Sequence, residues 1–438
     1  MILPLSFILL LQFLLSMLLF KRDILSPAVV LSAVFLAATV FLYPMKEYWN
    51  ITLKPDAIIA ITVGNFFFIV TSVICHILFK RNEAKKILPP ILISDKFISF
   101  VIICYLCIIF IYLYFLRKFA NAYGFSGNIF SMVGFSKRTA DSLKTDTNTP
   151  SVVSFLYNIG INLTFFWIYI FVRNVKKIKI SKRFIMLVII SFFMGFFVSG
   201  SRGHSVLLAA YALFLYIIQC RKENTYKLSS KFYLRIFLAI ILVILIFQLS
   251  ASVIGRDSGK FEFLEYLAIY ISAPIMNFSN TLSVDKSSIE LFGSETFNTL
   301  HTSLSTILGY ECPETTRVFW VANGHDVGNV ATMYYDFYHD FGLLGCFLLP
   351  VLIAFIMQFL YEKVKAEKEV WISFYSMTYC WLLFLLFRSF FSNSFIDKVI
   401  SFSCIKQLII WAFAVYLLKR IKIGNIRLFC TTNKRSRH

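Results

Sequence analysis

The chain has 438 residues, 58% of them hydrophobic and only 15% charged, with a formal net charge of +20. A soluble domain carries roughly half apolar and a quarter charged residues, so this composition excludes a soluble enzyme and a disordered chain. Fifty Phe and 22 Tyr, set in repeated apolar runs of about 20 residues, describe an all-α polytopic membrane protein.

Taken in chain order, the runs that could span a bilayer are 2–20, 24–43, 57–79, 97–116, 152–172, 184–199, 205–219, 236–253, 341–361, 370–387 and 399–418. The first has no basic residue before it and no small-residue cleavage site after it, so it reads as a span with its N-terminus outside. Eleven spans divide the connecting segments into two classes. One holds 28 of the Lys and Arg residues on short loops, and the other holds 14 on much longer ones. The basic-rich class is cytoplasmic, which puts the C-terminus inside. The excess of positive charge is then largely topology, and no nucleic-acid partner is expected.

Residues 261–280 are apolar enough to suggest a twelfth span, but Glu262, Glu265 and Pro274 interrupt them. A crossing there would also move Lys363, Lys365 and Lys368 outside. A helix lying on the outer surface, or a re-entrant one, fits better. Three parts follow: eight transmembrane helices over 1–253, a long exterior loop with an interfacial helix over 254–340, and three helices with a basic tail over 341–438.

Exterior mass is concentrated in residues 117–150 and 254–340. A loop of that length in a compact protein is usually functional, and a simple transporter, whose site lies near the midplane, has little need of it. The chain contains no phosphate-binding GxxxxGKS loop, no HExxH and no GxSxG. Cys104 and Cys107 form a CxxC inside an apolar run, where packing explains them better than redox chemistry.

Spans six and seven are the shortest and are joined by Gly200-Ser201-Arg202-Gly203-His204. Runs of about 16 residues reach roughly 24 Å against a ~30 Å hydrocarbon core, so the turn is expected to be recessed. Arg202 is then positioned to grip an anion; the alternative is an arginine reaching up to headgroups. Arg256, Arg317 and Arg388 lie at or beyond the same outer level, each open to an anchoring role when taken alone. Lys406 sits about two turns inside the last span, and an intramembrane cation is a functional suspect.

Four of the six histidines are exterior: His204, His301, His325 and His339. In a helix Asp336, His339 and Asp340 share one face, which suits general-base work on a hydroxyl, a divalent cation, or simply a solvated helix start. Tyr310, Trp320, Tyr334, Tyr335 and Tyr338 suit stacking on sugar rings and an interfacial belt equally.

The topology, the long exterior segment before the last three spans, the GSRG turn and the sequence YHDFGLLG at the ninth span together resemble the O-antigen polymerase (Wzy-type) family of oligosaccharide repeat-unit polymerases. The resemblance implies a metal-independent transferase with a C-type glycosyltransferase-like helical fold and no cofactor, in the bacterial inner membrane and acting on its periplasmic face. Its substrate would be an undecaprenyl-diphosphate-linked oligosaccharide, its surroundings membrane lipids, and a chain-length regulator is a further partner the resemblance admits. It places substrate binding on Arg202, Arg256 and Arg317; Arg388 and Lys406 join the diphosphate-binding set through their outer-level and intramembrane positions rather than through the resemblance. The base would be His325, with His339 and its neighbour Asp336 as the second choice. An O-antigen ligase, a lipid-linked oligosaccharide flippase and a scaffold of a cell-envelope complex are the competing readings.

Overall fold

A computed structural model describes residues 1–83, 85, 88–143, 147, 149–199, 203–223, 263–282, 292–312, 318–368, 371–420, 422–423, 426–427 and 429–431. The protein is mostly helical, at 76%. Seven helices are long and apolar enough to cross a membrane: Ile2–Leu19 (α1), α2 with its continuation over Pro27–Met45, Pro55–Phe79 (α3), Asp95–Ala122 (α4), Ser151–Asn174 (α6), Gly203–Lys222 (α8) and Met333–Ala366 (α12). Side chains such as Leu3, Phe7, Ile77 and Phe110 are more than half exposed on these helices. Water would penalise that surface, whereas lipid matches it. The chain is a multi-pass membrane protein.

The other described helices are Ile129–Leu143 (α5), Lys182–Ser199 (α7), Phe263–Ile271 (α9), Ala273–Thr281 (α10), Asn298–Leu308 (α11), Phe374–Phe387 (α13), Ser394–Val399 (α14) and Phe402–Arg420 (α15). Three two-stranded pairings complete the list: Ile91–Ile93 (β1) with Phe429–Thr431 (β6), Trp320–Ala322 (β2) with His325–Gly328 (β3), and Lys422–Ile423 (β4) with Ile426–Arg427 (β5).

The chain packs as two units. One comprises Met1–Asn82, Phe261–Ala366 and Trp381–Lys406; the other comprises Glu83–Lys260, Glu367–Cys380 and Gln407–His438. In the first, α3 lies along α12 as its most extensive helix pair. Gly64 permits that approach, because a Cβ there would meet Tyr334 at 2.5 Å and the Cys346 carbonyl at 2.6 Å. Tyr334, fully buried, donates to Asn65 Oδ1 at 2.8 Å, so the contact is fixed by a polar tie as well as by shape. Pro27 and Pro55 open α2 and α3 at positions where the missing N–H costs nothing. In the second unit α6 packs on α4, α7 and α8. Its ties run from side chain to helix carbonyl, as apolar surroundings require: Tyr105 to Gly160 O at 2.8 Å and Tyr157 to Met194 O at 2.7 Å.

Several sequence expectations need correction. Helices α7 and α8 have 18 and 20 residues, because each runs on through its basic end. Their lengths are roughly 27 and 30 Å at 1.5 Å per residue, and the turn expected to be recessed between them, residues 200–202, lies outside the described residues. Residues 261–280 do not form one surface helix. The described part is two nine-residue helices, α9 and α10, separated at Ser272 just before Pro274. Residues 273–279 are all buried in protein, which is unlike a helix lying on a membrane surface. The last apolar run, expected over 399–418, is the single helix α15, which begins three residues later at Phe402 after the short helix α14. Residues 236–253, expected as a span, lie outside the described residues.

Candidate functional site

The first unit gathers the polar side chains of the exterior segment into two clusters. One is built on the β2–β3 hairpin. Asn323 and Gly324 both take positive φ, 48° and 82°, the conformation of a tight two-residue turn that matches strand twist. The turn sets Ala322 opposite His325. His325 Nδ1 then lies 2.9 Å from Glu265 Oε1 on the first turn of α9. Tyr48 closes the group, its ring centroid 4.2 Å from the imidazole and its hydroxyl 3.5 Å from Glu265 Oε2. Asn323 Nδ2 donates to the Tyr48 carbonyl at 3.0 Å, fixing the hairpin tip to that loop. The carboxylate is buried, with 6% of its side chain exposed, while the imidazole keeps 31%. A buried carboxylate 2.9 Å from a partly accessible imidazole is the kind of neighbour that biases how the ring is oriented.

The second cluster surrounds Arg388, on a single 3-10 turn over Arg388–Phe390. A cleft of about 370 Å³ is lined by Arg388, Glu295, Asn298, Asn393, Asp397 and Lys398, among others. Burial lowers the pKa of the Arg388 guanidinium from its ordinary value. The group lies 5.5 Å from the Phe391 ring centre and, among the described residues, makes no hydrogen bond or ion pair. The cleft wall is pinned by backbone donors: Thr296 N–H to Asp340 Oδ2 at 2.6 Å and Thr299 N–H to Asp397 Oδ1 at 3.0 Å. Asn393 Nδ2 donates to the Thr296 carbonyl at 3.1 Å.

Helix α9 joins the two clusters. Glu265 stands at its start, and Tyr270, five residues or about 7.5 Å further along the axis, stacks on Phe391 with centroids 6.3 Å apart. Tyr266 and Tyr270 are themselves 5.1 Å apart. A short run of aromatic rings therefore leads from the imidazole–carboxylate pair to the arginine.

The remaining sequence candidates divide clearly. His339 Nδ1 lies 3.2 Å from Asp340, whose carboxylate also accepts from the backbone N–H groups of Glu295 and Thr296, and Asp336 is buried at 2% exposure. Among the described residues no three His, Cys, Asp or Glu side chains are placed to hold a metal. Lys406 is the fifth residue of α15, only about 6 Å into it at 1.5 Å per residue, and it is exposed. Arg202, Arg256 and Arg317 lie outside the described residues. The sequence reading did not place Glu265, Tyr48, Glu295 or Asp397 in these clusters. Glu265 was visible only as an interruption of an apolar run, with nothing in its spacing linking it to His325.

The chain matches no family model, no curated protein and no solved structure.

Proposed function

We propose that this protein polymerises lipid-linked oligosaccharide repeat units on the periplasmic face, transferring a glycan from undecaprenyl diphosphate to a new repeat unit. The observation that carries the reading is an Arg388 that lines a cleft with no polar partner among the described residues, together with a His325–Glu265 pair at the start of a nine-residue helix whose Tyr270 stacks on Phe391 beside that arginine. An acceptor hydroxyl attacks the anomeric carbon while its proton passes to His325. The bond from that carbon to the diphosphate oxygen breaks, and the electron pair leaves with the diphosphate. The negative charge that develops is the main demand, and a fixed arginine in a low-dielectric cleft answers it. Arg202, Arg256 and Arg317 are assigned to the same diphosphate by the family resemblance. Lys406, exposed near a helix start, suits a lipid headgroup better. Eleven crossings, a C-type glycosyltransferase-like architecture and an inner-membrane location with the N-terminus outside belong to this proposal.

The test is the lipopolysaccharide ladder of a strain lacking this gene, complemented with wild type, Arg388→Ala or His325→Ala at matched membrane abundance. Core carrying a single repeat unit is expected in the null strain and in both variants. Bare core with polymer still accumulating on the lipid carrier would identify a ligase instead. Bare core with repeat units trapped on the cytoplasmic side would identify a flippase. Normal ladders from both variants would remove these residues from the mechanism.

A further inference from the structure

Residues 261–280 do not supply the surface helix expected of them, but α11 has the pattern such a helix needs. Leu300, Leu304, Ile307 and Leu308 fall within an arc of about 100° on a helix of about 100° per residue, and Thr302, Ser305 and Thr306 occupy the other side. Residues 296–310 contain no Asp, Glu, Lys or Arg. At eleven residues the helix is about 16 Å long, too short to cross a bilayer. Ile307 and Leu308 are 68% and 69% exposed, and they stand on a fixed end rather than in a loose loop. The chain reverses at Gly309, which takes φ 73°, and the Tyr310 hydroxyl returns to donate to the His301 carbonyl at 3.0 Å. His301 Nε2 in turn lies 3.0 Å from the carbonyl of Phe292, a residue 76% exposed.

Phe292 marks where this surface meets lipid. Its ring centroid lies 5.1 Å from that of Phe341, and the Phe297 ring lies 6.4 and 6.2 Å from the two. Phe341 opens the apolar run of α12, along which Leu344, Leu348, Leu352 and Phe355 form an exposed stripe at i, i+4, i+8 and i+11. That stripe suits hydrocarbon, so the exposed side of Phe292 continues a lipid contact that the fold already makes. We infer that α11 and Phe292 are seated in the leaflet that α12 enters at Phe341, with Phe292, Ile307 and Leu308 at the acyl boundary and Thr302 and Thr306 in the headgroup water. An uncharged amphipathic helix lies in that layer without desolvating an ion. The first turn of the same helix walls the Arg388 cleft: Asn298 lines it, and the Thr299 N–H donates to Asp397. Asn298 and Leu308 stand at the two ends of α11, about 15 Å apart along its axis at 1.5 Å per residue. The cleft is thereby held near headgroup depth, whatever ligand it takes. The lipid seat does not rest on the transferase reading.

The experiment places a nitroxide on single cysteines of the full-length protein, its native cysteines replaced, in nanodiscs of phosphatidylethanolamine and phosphatidylglycerol. The labelled variants are Phe292→Cys, Ile307→Cys, Leu308→Cys and Thr302→Cys, with Leu352→Cys on α12 as the lipid-facing reference. Collision with oxygen, which concentrates in acyl chains, is compared with collision with a water-soluble nickel chelate. The oxygen-to-nickel ratio at the Phe292, Ile307 and Leu308 positions is expected to approach that of Leu352→Cys and to exceed that of Thr302→Cys several-fold. A ratio at those three positions equal to that of Thr302→Cys would place the helix in water and overturn the inference. Low access to both reagents there would show protein on that face, a second copy if the labels broaden one another, and would overturn it equally. Because the readout is depth, this outcome and that of the ladder test are independent, and either can fail alone.

Discussion

At the scale of single residues, the His325–Glu265 pair makes a sharper demand than either residue alone. Glu265 is buried beside the imidazole, so in the proposed reaction its effect would pass through the ring rather than through contact with substrate. Glu265→Gln keeps the volume and removes the charge. Polymerisation by the purified protein should then lose tenfold or more in kcat, since a general base contributes about 10²–10⁴, while KM changes little. An equal loss in KM with kcat intact would make Glu265 a substrate contact instead. The sequence offered His325 through its exterior position and through the family resemblance. It could not offer the partner, because the pairing depends on how α9 packs against a hairpin some 60 residues later. Arg388 was legible as an outer-level cation, but its lack of a polar partner among the described residues follows from tertiary packing alone.

Among the elements, α3 and α12 depend on close backbone approach more than on any large side chain. Gly64→Ala places a methyl against the buried Tyr334 ring and the Cys346 carbonyl, neither of which is the free end of a flexible chain. Overpacking of this kind costs about 1–3 kcal/mol, so the detergent-solubilised variant should unfold at a lower temperature than wild type. An unchanged Tm would mean that the pair separates without penalty. Gly342, with φ 63° and ψ −155°, breaks α12 in a conformation open mainly to glycine, so the residues before it form a separate helical arm. Helix existence was readable from apolar run length, as α1, α3 and α6 illustrate. Helix ends were not: α4, α7 and α8 continue through Arg and Lys residues because the backbone ladder tolerates long basic side chains that reach outward. The split between α9 and α10 was signalled by Pro274 yet read as a defect in one helix rather than as two.

For the molecule as a whole, the charge distribution predicts sidedness that chemistry can check directly. Thr306, exposed on α11, and Lys80, exposed at the end of α3, fall on opposite sides of the membrane in the charge-based topology. In a background with the native cysteines replaced, Thr306→Cys should react with an impermeant maleimide in spheroplasts, and Lys80→Cys only after lysis. The opposite order would invert the topology. The compact units, by contrast, could not be read from the sequence. The first draws the exterior segment together with α1–α3 and α12, a grouping made by packing across hundreds of residues. The outward apolar surface bears on how such a chain can change over time. On α1, Leu3, Phe7, Leu11, Leu14 and Leu18 face outward, while Ile2, Leu5, Leu9, Gln12 and Ser16 face protein. Any apolar side chain serves against lipid tails, so the outward set can drift through Leu, Ile, Val and Phe without altering the fold. Most of the information that specifies this protein is thus held in narrow inward stripes, a few glycines and the exterior polar clusters.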